Sequence, residues 1–184
     1  MAASSFLRGH LKMLAACLLA ISVTSALSEP CAWTRHQLGR KNEESVLLLT
    51  TMGGTFPRTC VKEKGARLFP LGMFTENEDT AQLALEVMGH VGSVFNMDHG
   101  AVTWSHDQLA LFRNIVHRQT EKLQACVSDR AAPGTNAALA SYFQKLSGIL
   151  NDKGLSACAW EIVRNEVHHT LLQLQVFLDS RKSA

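Results

Sequence analysis

Four cysteines, Cys31, Cys60, Cys126 and Cys158, are the residues best able to do covalent chemistry in this chain, and that chemistry is oxidative cross-linking. Their wide, irregular spacing is unlike the paired C-x-x-C ligands that enclose zinc. A fifth, Cys17, lies in an N-terminal stretch of different character. Arg8 and Lys12 make a basic start, Met13 to Val23 is an apolar run of eleven residues, and Ala26-Leu27-Ser28 offers a small-residue cleavage site. That order defines a secretory signal peptide, and the run is well short of the roughly 20 residues that span a bilayer. We therefore expect residues 1–28 to be removed, leaving one domain over 29–184, secreted and extracellular. An even number of cysteines in an exported chain makes two disulfides the default, and four cysteines allow three connectivities among which sequence alone does not choose.

Other reactive residue types assemble into nothing catalytic. His168 and His169 are adjacent; on a helix they point about 100° apart and do not converge on one ion as ligands four apart can. Gly53-Gly54 lacks the lysine and the strand–helix setting of a phosphate loop. Neither Gly-x-Ser-x-Gly nor His-Glu-x-x-His occurs. We expect no enzyme, no metal and no cofactor. Charge points the same way: residues 1–28 hold two of the 18 Lys and Arg and none of the 16 acidic residues, so the mature chain balances at 16 of each. No basic bias remains to favour nucleic acid or a membrane surface. There is no Asn-x-Ser/Thr sequon to carry an N-linked sugar.

The elements that must hold the cysteines in place read as helices throughout. Leu139, Tyr142, Phe143, Leu146, Ile149 and Leu150 step by three and four and form one stripe. Trp160, Val163, Val167, Leu171, Leu174 and Leu178 repeat the rhythm, as do Leu109, Phe112, Val116, Leu123 and Val127, and Ala84, Val87, Met88, Val91 and Phe95. The first segment is sparser, with Leu38, Val46, Leu49 and Met52 on its apolar side. Capping residues are expected at Thr75 and Ser105, each with capping-box spacing, and at Thr135 and Ser156. The expected helices lie near 32–52, 77–95, 105–127, 135–151 and 157–179.

Short links favour antiparallel neighbours among the last four helices, whereas the connection from Gly53 to Glu76 is long. A helix of about 20 residues is about 30 Å long, and a loop returning to the same end must cross that distance. Such crossovers mark up-up-down-down bundles. If that topology holds, Cys31 and Cys126 share one pole and Cys60 and Cys158 the other; other pairings would have to reach about a helix length, against the roughly 7 Å that a disulfide spans between Cα atoms. Each such bridge closes a loop near a hundred residues, contributing up to about 4–5 kcal/mol in the chain-entropy account.

Cys158-Ala159-Trp160-Glu161-Ile162-Val163-Arg164-Asn165-Glu166 closely resembles the start of the last helix in type I interferons. Leu123-Gln124-Ala125-Cys126-Val127 resembles the end of the third helix, Tyr142-Phe143-Gln144-Lys145 the middle of the fourth, and Val94-Phe95-Asn96 the end of the second. Cys60, followed by a basic loop ending in Phe69-Pro70, looks like the family's AB loop. The pieces occur in the family's order across the mature chain, and the four cysteines without sequons resemble the type I interferons of fish. The resemblance implies an all-α, up-up-down-down cytokine bundle of five helices and the same disulfide pairing. It implies that the chain, a monomer, brings together the two chains of a class II cytokine receptor and so activates Janus kinases and antiviral genes, with no nucleic acid and no membrane insertion.

Carried over position by position, the tighter receptor chain meets Val61 and Lys64 of the loop and Asn165, His168, His169 and Leu172 of the last helix. Lys64 stands where the family has arginine and lacks the planar bidentate fork. The second receptor chain meets Asn96, Arg113 and His117, although the family's aromatic contacts at the latter two are absent. Trp160 and Val163 are expected in the core, and Glu161 in the first turn, where the helix dipole favours an anion. Two other readings compete: an interleukin-10-like or type III interferon cytokine, which the Cys-Ala-Trp-Glu placement and the disulfide connectivity disfavour, and a secreted lipid carrier, whose amphipathic helices two long-range bridges would keep from opening.

Overall fold

In a computed structural model of the chain, residues 29–70, 72–75, 78–128 and 135–182 are described; the signal-peptide expectation for residues 1–28 lies outside them. Five α-helices follow in order: α1 Glu29–Gly53, α2 Thr80–Val94, α3 His106–Val127, α4 Ala137–Asp152 and α5 Ala157–Lys182. A 3-10 helix, Arg58–Glu63, interrupts the long connection between α1 and α2.

Side-chain neighbours fix the direction of each helix. Ser105 N donates to Met52 O at 3.0 Å and Gln119 reaches Ser45, so α3 runs antiparallel to α1. Asn42 donates to Leu171 O and Arg164 to Leu49 O, so α5 does the same. Just past the end of α2 Asn96 meets Arg113, and within it Gly92 faces Val116, which makes α2 antiparallel to α3 and hence parallel to α1. Asn136 N donates to Glu86 at 2.9 Å while His90 stacks on Phe143, and these ascending pairs make α4 parallel to α2. Two parallel helices, α1 and α2, joined by a crossover are the up-up-down-down arrangement expected.

Every residue of the expected stripes on α2, α3 and α5 is buried, Trp160 and Val163 among them; on α4 only Ile149 is partly exposed. On α1 the stripe is partly polar. Asn42 and Ser45 are fully buried between Leu38 and Leu49, so four apolar residues understate that face. The Asn42 amide nitrogen donates to Leu171 O at 2.9 Å and to Gln175 Oε1 at 2.9 Å, which offsets its burial in part, while its Oδ1 is buried without a hydrogen-bond partner.

Two helix starts differ from expectation. Glu78 does accept from Thr75 N at 2.9 Å, but that turn precedes the helix; Asp79 is the N-cap of α2, accepting from Gln82 N. Likewise Asn136, one residue after Thr135, caps α4 through Leu139 N. Ser105 and Ser156 cap as expected, accepting from Gln108 N and Ala159 N. The crossover is not structureless either: Phe69 and Met73 enter the core and anchor it.

Candidate functional site

Cys60 in the 3-10 helix is bonded to Cys158 in the first turn of α5, with Cα atoms 5.2 Å apart across 98 residues of sequence. Of Cys31 only the backbone is described. Cys126 is disulfide-bonded and lies beside Thr34 and Leu38, at the pole where α1 begins.

Beyond the bridge, α5 carries three buried ionic side chains, Glu161, Arg164 and Glu166, and the last two tie the crossover down. Glu161 is not simply a first-turn anion: its carboxylate accepts from Trp104 Nε1 at 2.6 Å and from Arg164 Nη2 at 2.6 Å, with both charged side chains under a tenth exposed. Arg164 also donates to Leu49 O and, at 3.0 Å, to Gly54 O, satisfying carbonyls at the end of α1. Gly53 permits this approach, since a Cβ there would lie 2.8 Å from both Arg164 Nε and Trp104 Nε1. One turn on, Glu166 Oε2 accepts from Leu68 N at 3.2 Å, Phe69 N at 3.3 Å and the Tyr142 hydroxyl at 3.5 Å. Burial pushes the Tyr142 phenol up, so it stays a donor; its hydroxyl is also 2.9 Å from Thr170 Oγ1.

These ties set the outer face of α5 between two flanks. On one side His168 Nε2 lies 3.0 Å from Thr50 Oγ1 of α1. On the other His169 Nε2 lies 3.3 Å from Arg67 Nη1 of the crossover, and its ring meets Phe69 edge-on at 5.9 Å. Both imidazoles are held below their ordinary range, first by burial; Arg164 adds to this at His168, and Arg67 at His169 against the opposing Glu166 carboxylate. Asn165, His168 and His169 are half-buried, whereas Leu172 is exposed. Val61 is exposed beside Cys60, and Lys64 lies 4.7 Å over the Phe56 ring and ends the 3-10 helix.

The structure thus joins His168, His169 and Leu172 in one surface and puts Val61 and Lys64 on the adjoining crossover. It also adds residues that sequence reasoning passed over. Arg67, rather than Lys64, is the basic residue against α5. Val176, one turn beyond Leu172, is 65% exposed, and Leu47 on α1, three residues before Thr50, is 61% exposed; such exposed aliphatic positions near one flank fit a protein contact. The four-residue spacing of Leu172 and Val176, off the core stripe, was a legible signal; Leu47 was hidden inside the run Val46-Leu47-Leu48-Leu49.

On the opposite side, Asn96, Arg113 and His117 line a groove of about 570 Å³ between α2 and α3, floored by Gly89, Gly92 and Ser93. Arg113 Nη2 donates to Asn96 Oδ1 at 3.1 Å, and His117 Nε2 lies 3.4 Å from Glu121 Oε1. Among the described residues no cluster of three or more His, Cys, Asp or Glu could hold a metal ion, and no helix is long and apolar enough to cross a membrane.

An up-up-down-down bundle with its crossover bound to the last helix, presenting broad side-chain surfaces, is the architecture of a helical cytokine. The Interferon alpha/beta domain family matches residues 34–181. The chain belongs to that family. Interferon a3 of Oncorhynchus mykiss is 34% identical over 152 residues, covering 79% of this chain and 83% of the relative. Human Interferon alpha-21 is 28% identical over 172 residues, covering 86% and 90%. Among solved structures, Zebrafish interferon 2 aligns with a TM-score of 0.66 at 32% identity, over 74% of this chain and 96% of that one, and Zebrafish interferon 1 with 0.66 at 26% identity, over 81% and 98%. The protein is therefore a type I interferon, a cytokine that acts on cytokine receptors and not an enzyme. That membership decides against both the interleukin-10-like or type III reading and the lipid carrier.

Proposed function

We propose that this interferon is exported by a signal peptide at residues 1–28 and acts as a monomer that holds two chains of a class II cytokine receptor together, activating Janus kinases and inducing antiviral genes. The tighter chain docks on Val61, Lys64, Asn165, His168, His169 and Leu172, and the second on the α2–α3 groove with Asn96, Arg113 and His117. The observation that carries this reading is the meeting of three elements at the outer face of α5: Thr50 of α1 contacts His168, Arg67 of the crossover contacts His169, and Leu172 is exposed beside them. The bridge Cys31–Cys126 completes the design, supported by the position of disulfide-bonded Cys126 beside Thr34, one turn from Cys31.

Exposed positions separate binding from folding. Val61→Ala/Leu172→Ala removes apolar atoms from solvent-facing sites, where substitutions usually change stability by less than about 0.5 kcal/mol each. Loss of one interface hot spot costs about 2 kcal/mol, roughly thirtyfold in affinity. The double variant should melt like the wild type yet need at least about thirtyfold more protein to induce antiviral genes in receptor-bearing cells. Wild-type potency from a normally folded variant would show that the receptor surface lies elsewhere.

A further inference from the structure

The two neighbouring histidines of α5 make hydrogen bonds of opposite polarity. A guanidinium has only donors. With Arg67 Nη1 3.3 Å away, His169 Nε2 must therefore offer its lone pair, and the bond exists only while that nitrogen is unprotonated. His168 differs. The Thr50 hydroxyl donates to Val46 O at 3.1 Å, so it can only accept from His168 Nε2 at 3.0 Å, and that nitrogen already carries a hydrogen. Protonating His168 preserves its bond, whereas protonating His169 sets two donors and two positive charges against each other.

The surroundings of His169 offer little to absorb that charge. Arg67 faces it from the crossover. On its own helix the neighbours are His168 and Glu166, with Arg164 beyond His168. The Glu166 Oε2 is already shared among Leu68 N, Phe69 N and the Tyr142 hydroxyl of α4. The Phe69 ring closes the apolar side at 5.9 Å. Burial and Arg67 hold the imidazole below its ordinary range, in keeping with an unprotonated ring at neutral pH. Because Glu166 and Phe69 anchor the neighbouring residues independently of His169, losing the Arg67 bond frees a side chain without unfolding the crossover.

We propose that Arg67 belongs to the receptor-contacting surface, that the unprotonated ring of His169 holds it there, and that protonation of this ring releases it, so that a surface assembled at neutral pH loosens in an acidic compartment. This rests on reading the outer face of α5 as the receptor surface, and two measurements keep the claims apart. The first uses the free, oxidised mature protein: the His169 ring is titrated by NMR in the wild type and in Arg67→Ala. Removing the guanidinium takes away both its charge and its donated hydrogen bond, so His169 should titrate at a higher pH in the variant, while His168 moves less; identical His169 titrations overturn the latch.

The second uses the immobilised ectodomain of the receptor chain that binds more tightly. Dissociation of the wild type should be at least about threefold faster at pH 5.0 than at pH 7.4, since an imidazole held below about 6.5 takes up its proton mainly below that value. In His169→Gln, whose amide oxygen can accept from Arg67 and cannot be protonated, the ratio of the two rates should fall towards one whatever its rate at pH 7.4. In His168→Gln the ratio should persist. A pH-independent wild type, or a His169→Gln protein with the wild-type ratio, overturns the proposal. Failure of the underlying surface reading shows separately, as wild-type potency of Val61→Ala/Leu172→Ala at neutral pH.

Discussion

Replacing Arg164 with alanine isolates the tie between the last helix and the first. The side chain is nearly fully buried and donates to three partners: Glu161, Leu49 O and Gly54 O. Without it, Glu161 keeps only the Trp104 Nε1 donor for a carboxylate that stays buried. Removing one partner of a buried ion pair typically costs about 3–5 kcal/mol, because an uncompensated charge remains. The two freed carbonyls add about 1–3 kcal/mol each when water cannot reach them; the exposed start of the crossover lets water reach Gly54, so the lower figure applies there. An overall loss of about 5–9 kcal/mol follows. At about 2–4 °C per kcal/mol for a chain of this size, the melting temperature should drop by at least about 10 °C. Urea unfolding at pH 7.4, followed by far-UV circular dichroism, measures the loss directly. Glu161→Gln/Arg164→Met removes both charges, keeps an acceptor for Trp104 and fills most of the volume, so it should be more stable than Arg164→Ala. A loss below about 1 kcal/mol in Arg164→Ala would refute the assignment of this arginine as the tie.

Non-reducing peptide mapping should recover Cys60 linked to Cys158 and Cys31 linked to Cys126; a Cys31–Cys60 peptide would contradict both the pairing and the topology. His90, His99, His168 and His169 are each held below their ordinary range, chiefly by burial. The unfolded chain therefore takes up more protons than the folded one as pH falls through about 6.5, the ordinary imidazole value, so stability present above that pH should decline on acidification and level off once the folded imidazoles have also charged. Melting curves between pH 7.5 and 4.5 should show that fall, and a melting temperature that rises over this range would refute the sign.

The last four helices were legible because their apolar residues recur at three and four from Ala84 to Leu178, with one gap in α3, where buried Gln119 stands between Val116 and Leu123. The first was legible as a helix but its buried face only in part, because Asn42 and Ser45 occupy core positions where a hydrophobic pattern registers solvent. Their partners, Leu171 O, Gln175 and Gln119, lie 74 to 133 residues away, beyond any local signal. Glu161, Arg164 and Glu166 were obscure for the same reason: charged residues inside a helix usually face water. Caps shifted by one or more residues because Asp79 and Asn136 were equally good acceptors beside the expected ones. In the candidate surface, position after Cys60 pointed to Lys64, while only the path of the crossover shows that Arg67 reaches α5.

Four of the ties that hold the crossover after the first helix, at Cys158, Arg164, Glu166 and His169, come from the last helix, besides the Lys153–Glu63 pair and the Phe69–Tyr142 contact made with α4. Ribosomes make and deliver the chain from its N-terminus, so these four fastenings wait for a segment that arrives last. Until then the crossover is an open tether nearly a hundred residues ahead of its anchor, and α1 lacks one of the helices that cover it. A product truncated before α5 could form helices yet would lack the outer face of that helix, where we propose that the tighter receptor chain docks. The order of synthesis therefore acts as a proofreading step: only a chain completed to its final helix can lock the crossover to α5.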